Sequence, residues 1–427
     1  MNKIVLTGLN EVIYHETLDN GLEVYIYKKE GFNKKTAYFT TKFGSNVYEF
    51  IPNGQSKVKE FTKGIAHFLE HKLFESSDNE NTFTKFEKYG AYVNAYTNHY
   101  ETCYYFSTSD NFKECLNLLL DFVQTPYLTD ENVEKEKGII TQEIDMVNDR
   151  LMYLIYKRQL ELTLKNNPNR FCTIGDKENV NKITKEDLYE CYNTFYHPSN
   201  MILTISGDFD VEEILDEIKK NQNKKDYQKQ EKVILPTYKE EKEVIEKEDT
   251  IYKNVVNPRF SICYKNVLGI LTKEELLKEE AYLELFFDLK FGRASNFEKY
   301  LLDNKIISSS FSFDYEIFED TVLIFFEGDV LDEEKFIIEI EKKLQDDKYD
   351  EKLFELYKKS YLASMVRMVD NTSYIAKKIF KEIIRYGEFI NDAYEIFKSL
   401  SFNEFKNVIS KYEFDIKTIL RVKSKGE

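Results

Sequence analysis

A β-rich stretch followed by an Asp-containing turn and an amphipathic helix recurs three times in this chain of 427 residues. The three copies span residues 103–123, 201–220 and 321–344. In each copy the apolar residues change from strand spacing to helical spacing after the turn. The recurrence predicts an α+β protein built from two related lobes.

The length and one charged stretch predict where the lobes divide. A chain of this size forms about two domains, each large enough for its own core. Residues 221–247 carry repeated Lys, Glu and Gln with Pro236 among them, which is typical of a solvated linker rather than a binding patch. We therefore expect a first lobe at 1–220, a charged linker at 221–247 and a second lobe at 248–427.

The charge balance excludes one class of partner. Asp and Glu number 76 against 60 Lys and Arg, and the net charge of −16 argues against a nucleic-acid binder. If that charge lines a cavity, it suits basic peptides. Neither a signal peptide nor a stretch of ~20 apolar residues is found, and the five cysteines form no C-x-x-C pair. We expect a cytoplasmic protein with no membrane partner.

Residues 67–71 read H-x-x-E-H. On a helix, positions four apart lie one above the other, so His67 and His71 can direct their imidazoles at one ion while Glu70 lies on the same side. Two histidines and one carboxylate are the usual ligands of a hydrolytic zinc, with Glu70 as the base. The alternative is an amphipathic helix whose polar face happens to carry these residues, and the apolar residues around them favour a buried helix over that alternative.

The third ligand is expected from residues 131–149, which read as a second helix with Ile139, Ile140, Ile144 and Val147 at core spacing. Glu136 and Glu143 are two turns apart and share one face. We assign Glu143 to the zinc, and Glu136 to orienting a ligand or tuning its charge. The alternative is that both are solvated glutamates in a Glu/Lys-rich helix start.

Several motifs together resemble the inverted zinc-peptidase family of pitrilysin, insulin-degrading enzyme and mitochondrial processing peptidase, and most of all its short bacterial members. They are Gly64–His71, Gly90–Thr97, the Glu136/Glu143 pair, Leu18–Leu22, His197–Met201 with Gly207-Asp208, Phe291–Ser295 and Ser310–Tyr315. The resemblance implies one Zn²⁺ per chain in a catalytic first lobe. It also implies mostly antiparallel sheets covered by helices, with the two lobes forming half of a clamshell around an enclosed chamber.

The stretch Val93–Thr97 is predicted to be a strand that holds substrate. An exposed sheet edge can pair with a peptide backbone without recognising its sequence. By resemblance, Asn94 and Ala95 would hold the substrate backbone near the scissile bond. The alternative is a strand beside a loop in which Asn94 caps a turn.

One part of the family pattern is missing. The family carries an Arg and a Tyr seven residues apart in the second lobe, and aligning that motif places Leu302 and Ser309 at the two positions. Either the chain is inactive or poorly active alone, or a homologous zinc-free subunit supplies the pair. We favour such a heterodimer over a homodimer, with this chain as the catalytic subunit.

The predicted function is a zinc-dependent endopeptidase for peptides or small unfolded polypeptides. The alternative is a non-catalytic peptide-binding or scaffold subunit of a processing complex, although such relatives typically lose a zinc residue and none is lost here. A metal-dependent deacetylase with the same ligands would not need the edge strand. Whether the enzyme degrades or matures peptides stays open.

Overall fold

The computed structural model describes residues 1–78, 80–228, 230 and 232–425. The strands are β1 (Asn2–Leu6), β2 (Glu11–Thr17), β3 (Glu23–Lys28), β4 (Lys35–Thr41), β5 (Glu49–Phe50), β6 (Lys59–Glu60), β7 (Tyr92–Thr97), β8 (Thr102–Thr108), β9 (Met201–Gly207), β10 (Glu248–Lys253), β11 (Arg259–Val267), β12 (Ile307–Phe318), β13 (Thr321–Val330) and β14 (Lys417–Ser424). The helices are α1 (Ile65–Leu73), α2 (Thr82–Glu87), α3 (Phe112–Val123), α4 (Asp130–Asn148), α5 (Leu151–Thr163), α6 (Lys177–Lys182), α7 (Lys185–Phe195), α8 (Val211–Gln222), α9 (Lys273–Phe291), α10 (Phe297–Asp303), α11 (Glu333–Gln345), α12 (Glu351–Met368), α13 (Thr372–Tyr386), α14 (Ala393–Ser399) and α15 (Phe402–Ile409). No helix among these described residues combines the length and the apolar character that a membrane crossing requires.

Two mostly antiparallel sheets organise the chain, which confirms the predicted α+β class with two sheet-containing lobes. The first has the strand order β1-β2-β3-β9-β4-β8-β7, and its one parallel pair is β3 with β9. The second has the order β10-β14-β11-β13-β12, and its one parallel pair is β10 with β14. Strand β7, which contains the predicted substrate-binding residues, therefore lies at an edge of the first sheet.

The recurring strand, turn and helix pattern is present in all three places. It forms β8 with α3, β9 with α8, and β13 with α11. In the second and third copies the turn residue caps the helix, because Asp210 and Asp332 accept hydrogen bonds from the backbone N–H groups of Glu213 and Lys335. The Asp-containing turn thus marks where the strand ends and the helix begins.

The first compact unit consists of Met1–Val147, Phe171–Thr237 and Met365–Tyr394. One face of its sheet packs on the main core, which includes Val24 and Ile26. The opposite face, with Tyr25 and Tyr27, is also apolar and is covered by α13. A segment from near the end of the chain therefore completes the first unit.

The second unit consists of Asn148–Arg170, Tyr238–Ser364 and Glu395–Glu427. These units differ from the predicted contiguous boundaries of 1–220, 221–247 and 248–427. Helix α5 belongs to the second unit because Gln159 donates hydrogen bonds to the backbone and hydroxyl oxygens of Ser261 in β11. Helix α5 comes from the first half of the sequence but joins the second unit, and α13 comes from the second half but joins the first. Each covers a sheet face formed by residues that are distant in sequence.

The predicted solvated linker is also corrected. Residues 221 and 222 end α8, and the part of this stretch from residue 238 to 247 belongs to the second unit. Glu240 and its ion-pair partner Lys265 have no solvent-exposed side-chain surface. This charged stretch therefore contains one buried residue, Glu240. Composition alone does not distinguish it from the solvated residues around it.

Candidate metal centre

Helix α1, in the first unit, carries the H-x-x-E-H motif. It begins after Gly64, whose φ of 89° lies in the left-handed region that favours glycine. A Cβ atom there would lie 2.6 Å from the carbonyl oxygen of Ile174, so any other residue would also clash with the neighbouring backbone. Ile65, Phe68 and Leu69 are buried and fix the helix against the core. The motif is therefore held on a well-anchored helix.

Helix α4 brings the predicted third ligand to the two histidines. The Nε2 atoms of His67 and His71 lie 3.8 Å and 3.5 Å from Oε2 of Glu143. The three side chains form the one group among the described residues whose potential ligand atoms, one from each residue, all lie within 4.8 Å of one another. The structure thus brings together the three residues that the sequence assigned to a metal.

The dimensions of this group fit a zinc ion. Ligand atoms about 2.1 Å from a tetrahedral zinc are separated by about 3.4 Å. The two separations to Glu143 are close to that value. Burial lowers the pKa of His67 to about 3, and the adjacent His71 acts in the same direction, so His67 is neutral at pH 7, as a ligand must be.

Glu136 lies directly behind His71. Its Oε1 is 3.0 Å from Nδ1 of His71, and its Oε2 is 3.6 Å from Nζ of Lys72. Burial acts to raise the pKa of Glu136, but the hydrogen bond from His71 and the charges of His71 and Lys72 outweigh burial and hold it below its usual value. Glu136 is therefore buried in contact with His71, and the alternative of a solvated glutamate is wrong.

Glu70 is buried beside the histidines, where a base would be needed. Its Oε2 accepts a hydrogen bond of 2.7 Å from the hydroxyl of Thr97. Burial raises the pKa of Glu70 despite the opposing effects of Thr97 and His71, and Glu143 raises it further. Thr97 is the one hydrogen-bond donor to this carboxylate in the part of the chain that the structure describes, so the other oxygen of Glu70 is available for a proton.

Strand β7 ends at this carboxylate. Within the described residues β7 pairs with β8 on one side and with no strand on the other. Asn94 and Ala95 lie in the middle of β7 opposite Tyr105 and Tyr104, and the side chain of Asn94 accepts from its neighbour's backbone N–H. The strand edge and the base are thus connected through Thr97.

One core prediction for α4 is wrong. Ile140 and Ile144 are buried as predicted, but Ile139 is 46% exposed. Ile139 lies about 140° around the helix from the buried Ile144, so it points away from the core when Ile140 and Ile144 face it. The sequence has isoleucine at both 139 and 140, so the spacing of apolar residues did not show which of the two faces the core.

The second unit contains the two positions at which the Arg and Tyr are missing. Leu302 is 38% exposed on α10, and Ser309 in β12 donates its hydroxyl hydrogen to the carboxylate of Asp329. The same carboxylate binds Arg259 at 2.9 Å, and Glu327 binds the other side of that guanidinium at 3.1 Å. The arginine that shares Asp329 with Ser309 is therefore already paired with two acidic side chains.

This cluster predicts a pH dependence of stability. Burial raises the pKa of Glu327 to about 7, against the effect of Arg259 and with that of Asp329. Folding favours the protonated side chain of Glu327. Its contribution to the free energy of unfolding is therefore complete below about pH 4.5 and is lost as the pH rises through 7. Glu327→Gln should therefore become more stable relative to the wild type by up to about 3 kcal/mol between pH 5 and pH 8. Melting curves of both proteins at the two pH values measure this, and a difference in Tm that is the same at both would contradict it.

Two residues of the centre were not predicted, namely Thr97 and Lys72. Thr97 follows the Asn94-Ala95 pair by two positions on the same strand, and nothing in its spacing identifies a contact with Glu70. Lys72 did leave a signal, because it lies at core spacing from Ile65 and Phe68. A lysine on the apolar side of a buried helix indicates a buried ionic contact.

Family models match most of the chain. The model described as Insulinase (Peptidase family M16) matches residues 41–175, which include the three candidate ligands and Glu70. The model described as Peptidase M16 inactive domain matches residues 182–361. Both halves of the chain thus have counterparts in one family.

Individual relatives agree with these models. The chain is 36% identical over 405 residues to the uncharacterized zinc protease YmfH of Bacillus subtilis, covering 94% of both chains. It is 28% identical to the mitochondrial-processing peptidase subunit beta of Homo sapiens over 39% of this chain and 35% of that one. An M16-like peptidase from Alicyclobacillus acidocaldarius has the same fold, with a TM-score of 0.91 and 31% identity over 99% of this chain and all of that one. The resemblance found in the motifs is confirmed, and the chain belongs to the insulinase family, peptidase family M16.

Proposed function

We propose that this chain is a zinc-dependent endopeptidase that cleaves peptides or small unfolded polypeptides. The observation that carries the proposal is the grouping of His67, His71 and Glu143 beside the buried carboxylate of Glu70. The family and the names of its zinc-protease relatives support a metallopeptidase. The same three side chains would hold one zinc ion per chain.

Each residue has a distinct role in the proposed reaction. Zinc at this position would act as a Lewis acid toward the scissile carbonyl and would lower the pKa of water. Glu70 accepts the proton of the attacking water and passes it to the leaving amine. Thr97 holds one oxygen of Glu70, and Glu136 orients His71 through its Nδ1 atom.

The substrate backbone would pair with β7. An edge strand supplies alternating N–H and C=O groups to any peptide, so recognition does not depend on a particular sequence. Asn94 and Ala95 lie three and two residues before Thr97. A peptide paired with this edge would therefore lie next to the proposed base. A cavity of about 470 Å³ beside the start of β7, lined in part by Phe83, Glu87 and Tyr92, offers space for a side chain.

We further propose that the active form is a heterodimer in the cytoplasm, with an enclosed chamber and a homologous zinc-free subunit. Leu302 and Ser309, which lie where the family has its Arg and Tyr, support this, because neither can donate the hydrogen bonds of that pair to a developing oxyanion in the same way. Arg259, which shares Asp329 with Ser309, is already paired with Asp329 and Glu327. The partner subunit would supply the Arg and Tyr. A relative whose name includes "subunit beta" is consistent with assembly from unlike chains.

The experiment is cleavage of a quenched basic peptide library by the zinc-loaded protein, alone and with a co-expressed homologous chain that lacks the motif. We expect weak cleavage by the chain alone and strong cleavage by the pair. Equally strong cleavage by the chain alone would overturn the heterodimer. No cleavage in either arm, with zinc bound, would favour a non-catalytic peptide-binding or scaffold role, which the complete set of candidate ligands and base now argues against.

A further inference from the structure

Lys72 follows His71 directly, and its side chain has no solvent-exposed surface. A buried ammonium group needs anionic or polar partners, because an unpaired charge inside a protein is strongly destabilising. No part of the proposed chemistry uses this charge. Its surroundings therefore indicate what it does.

Three acceptors surround Nζ of Lys72. They are the carboxylate of Glu75 at 2.7 Å, the carbonyl oxygen of Asn132 at 3.1 Å and the carboxylate of Glu136 at 3.6 Å. Glu75 lies just after α1, whereas Asn132 and Glu136 belong to α4. Lys72 therefore connects the helix that carries the two histidines to the helix that carries Glu143.

The carboxylate of Glu136 is held from both of its oxygens. Oε1 faces Nδ1 of His71, and Oε2 faces Nζ of Lys72. Two partners on different oxygens fix the plane of the carboxylate more firmly than one partner does. The plane in turn fixes the imidazole of His71, whose Nε2 lies 3.5 Å from Glu143.

We propose that Lys72 is a positioning residue of the metal centre. It holds Glu136 in the orientation that directs His71 toward zinc. The proposal deepens the proposed function and rests on the zinc site within it.

Positioning and a direct charge effect predict opposite results. Lys72 and a zinc ion are both positive, so a lysine that acted only through its charge would weaken zinc binding. Removing the charge would then tighten binding. If Lys72 acts by holding Glu136, its removal weakens binding instead.

The test is zinc affinity, measured by competition with a chromophoric chelator, for the full chain and four variants. Lys72→Met and Glu136→Gln should each raise the dissociation constant by about 10- to 100-fold. The double variant should bind zinc no more weakly than the weaker single variant, because both substitutions break one chain of contacts. Glu75→Gln removes the charge of the partly exposed partner of Lys72, which does not contact Glu136 or His71 in the contacts described above. It should change the zinc affinity little.

Zinc binding by Lys72→Met that is equal to or tighter than that of the wild type would overturn the proposal, as would fully additive effects in the double variant. Thermal unfolding of the metal-free proteins separates a loss of folding from a loss of affinity. If Lys72→Met does not fold, Lys72→Gln carries the same comparison. A wild type that binds zinc but cleaves no peptide would refute the proposed function and leave this result standing, whereas a wild type that binds no zinc would refute both.

Discussion

Glu70→Gln is expected to lower kcat for peptide cleavage by about 10²- to 10⁴-fold, the usual contribution of a general base. Glutamine has nearly the same shape and can still accept the hydrogen bond from Thr97, so the fold of the site should persist. It cannot take a proton from water. The loss should therefore appear in kcat with zinc content unchanged.

The matched control is Glu134→Gln, which removes an exposed carboxylate on α4, the helix that carries Glu136 and Glu143. Its activity should equal that of the wild type. Zinc content of all three proteins is measured by atomic absorption, and cleavage is measured with a quenched peptide in the presence of the partner chain. Comparable turnover by the wild type and Glu70→Gln would show that another group is the base.

Glu240→Ala is expected to destabilise the second unit by about 3–5 kcal/mol. The carboxylate of Glu240 accepts hydrogen bonds from the backbone N–H groups of Lys165, Asn166 and Asn167, and it pairs with Lys265 at 2.7 Å. Alanine would leave a buried ammonium group without its counter-charge and three N–H groups without their acceptor. Each is a costly loss in a site closed to water.

Hydrogen exchange of amides in β11 and β14 reports the free energy of opening of this unit. Glu241→Ala is the neighbouring control, because Glu241 is an exposed residue that pairs with Lys165 at the surface. It should leave exchange nearly unchanged. If Glu240→Ala accelerates exchange no more than Glu241→Ala, the buried pair does not hold the segment in place.

The metal centre was predictable because its pattern is local. His67, Glu70 and His71 lie within two turns of one helix, and Glu136 and Glu143 lie two turns apart on another, so helical spacing alone places each group on one face. The family resemblance then indicated that the two helices meet. Their roles toward zinc remain predictions that the experiments above and below test.

The features that escaped prediction depend on contacts between distant residues. The position of α5 and α13 in the sequence does not show which unit each helix joins. Helix α5 packs on β14 of the second sheet, and α13 covers the second apolar face of the first sheet. Glu240 is one acidic residue in a charged run, and its burial follows from Lys265, which lies in a strand 25 residues later. Ile139 was misplaced because spacing cannot choose between adjacent isoleucines.

Anomalous diffraction at the zinc absorption edge, from crystals of the zinc-saturated protein, tests the central claim most directly. The account predicts one peak about 2.0–2.2 Å from Nε2 of His67, Nε2 of His71 and a carboxylate oxygen of Glu143. A peak at another position, or none at all, would contradict the assignment of these three residues to zinc.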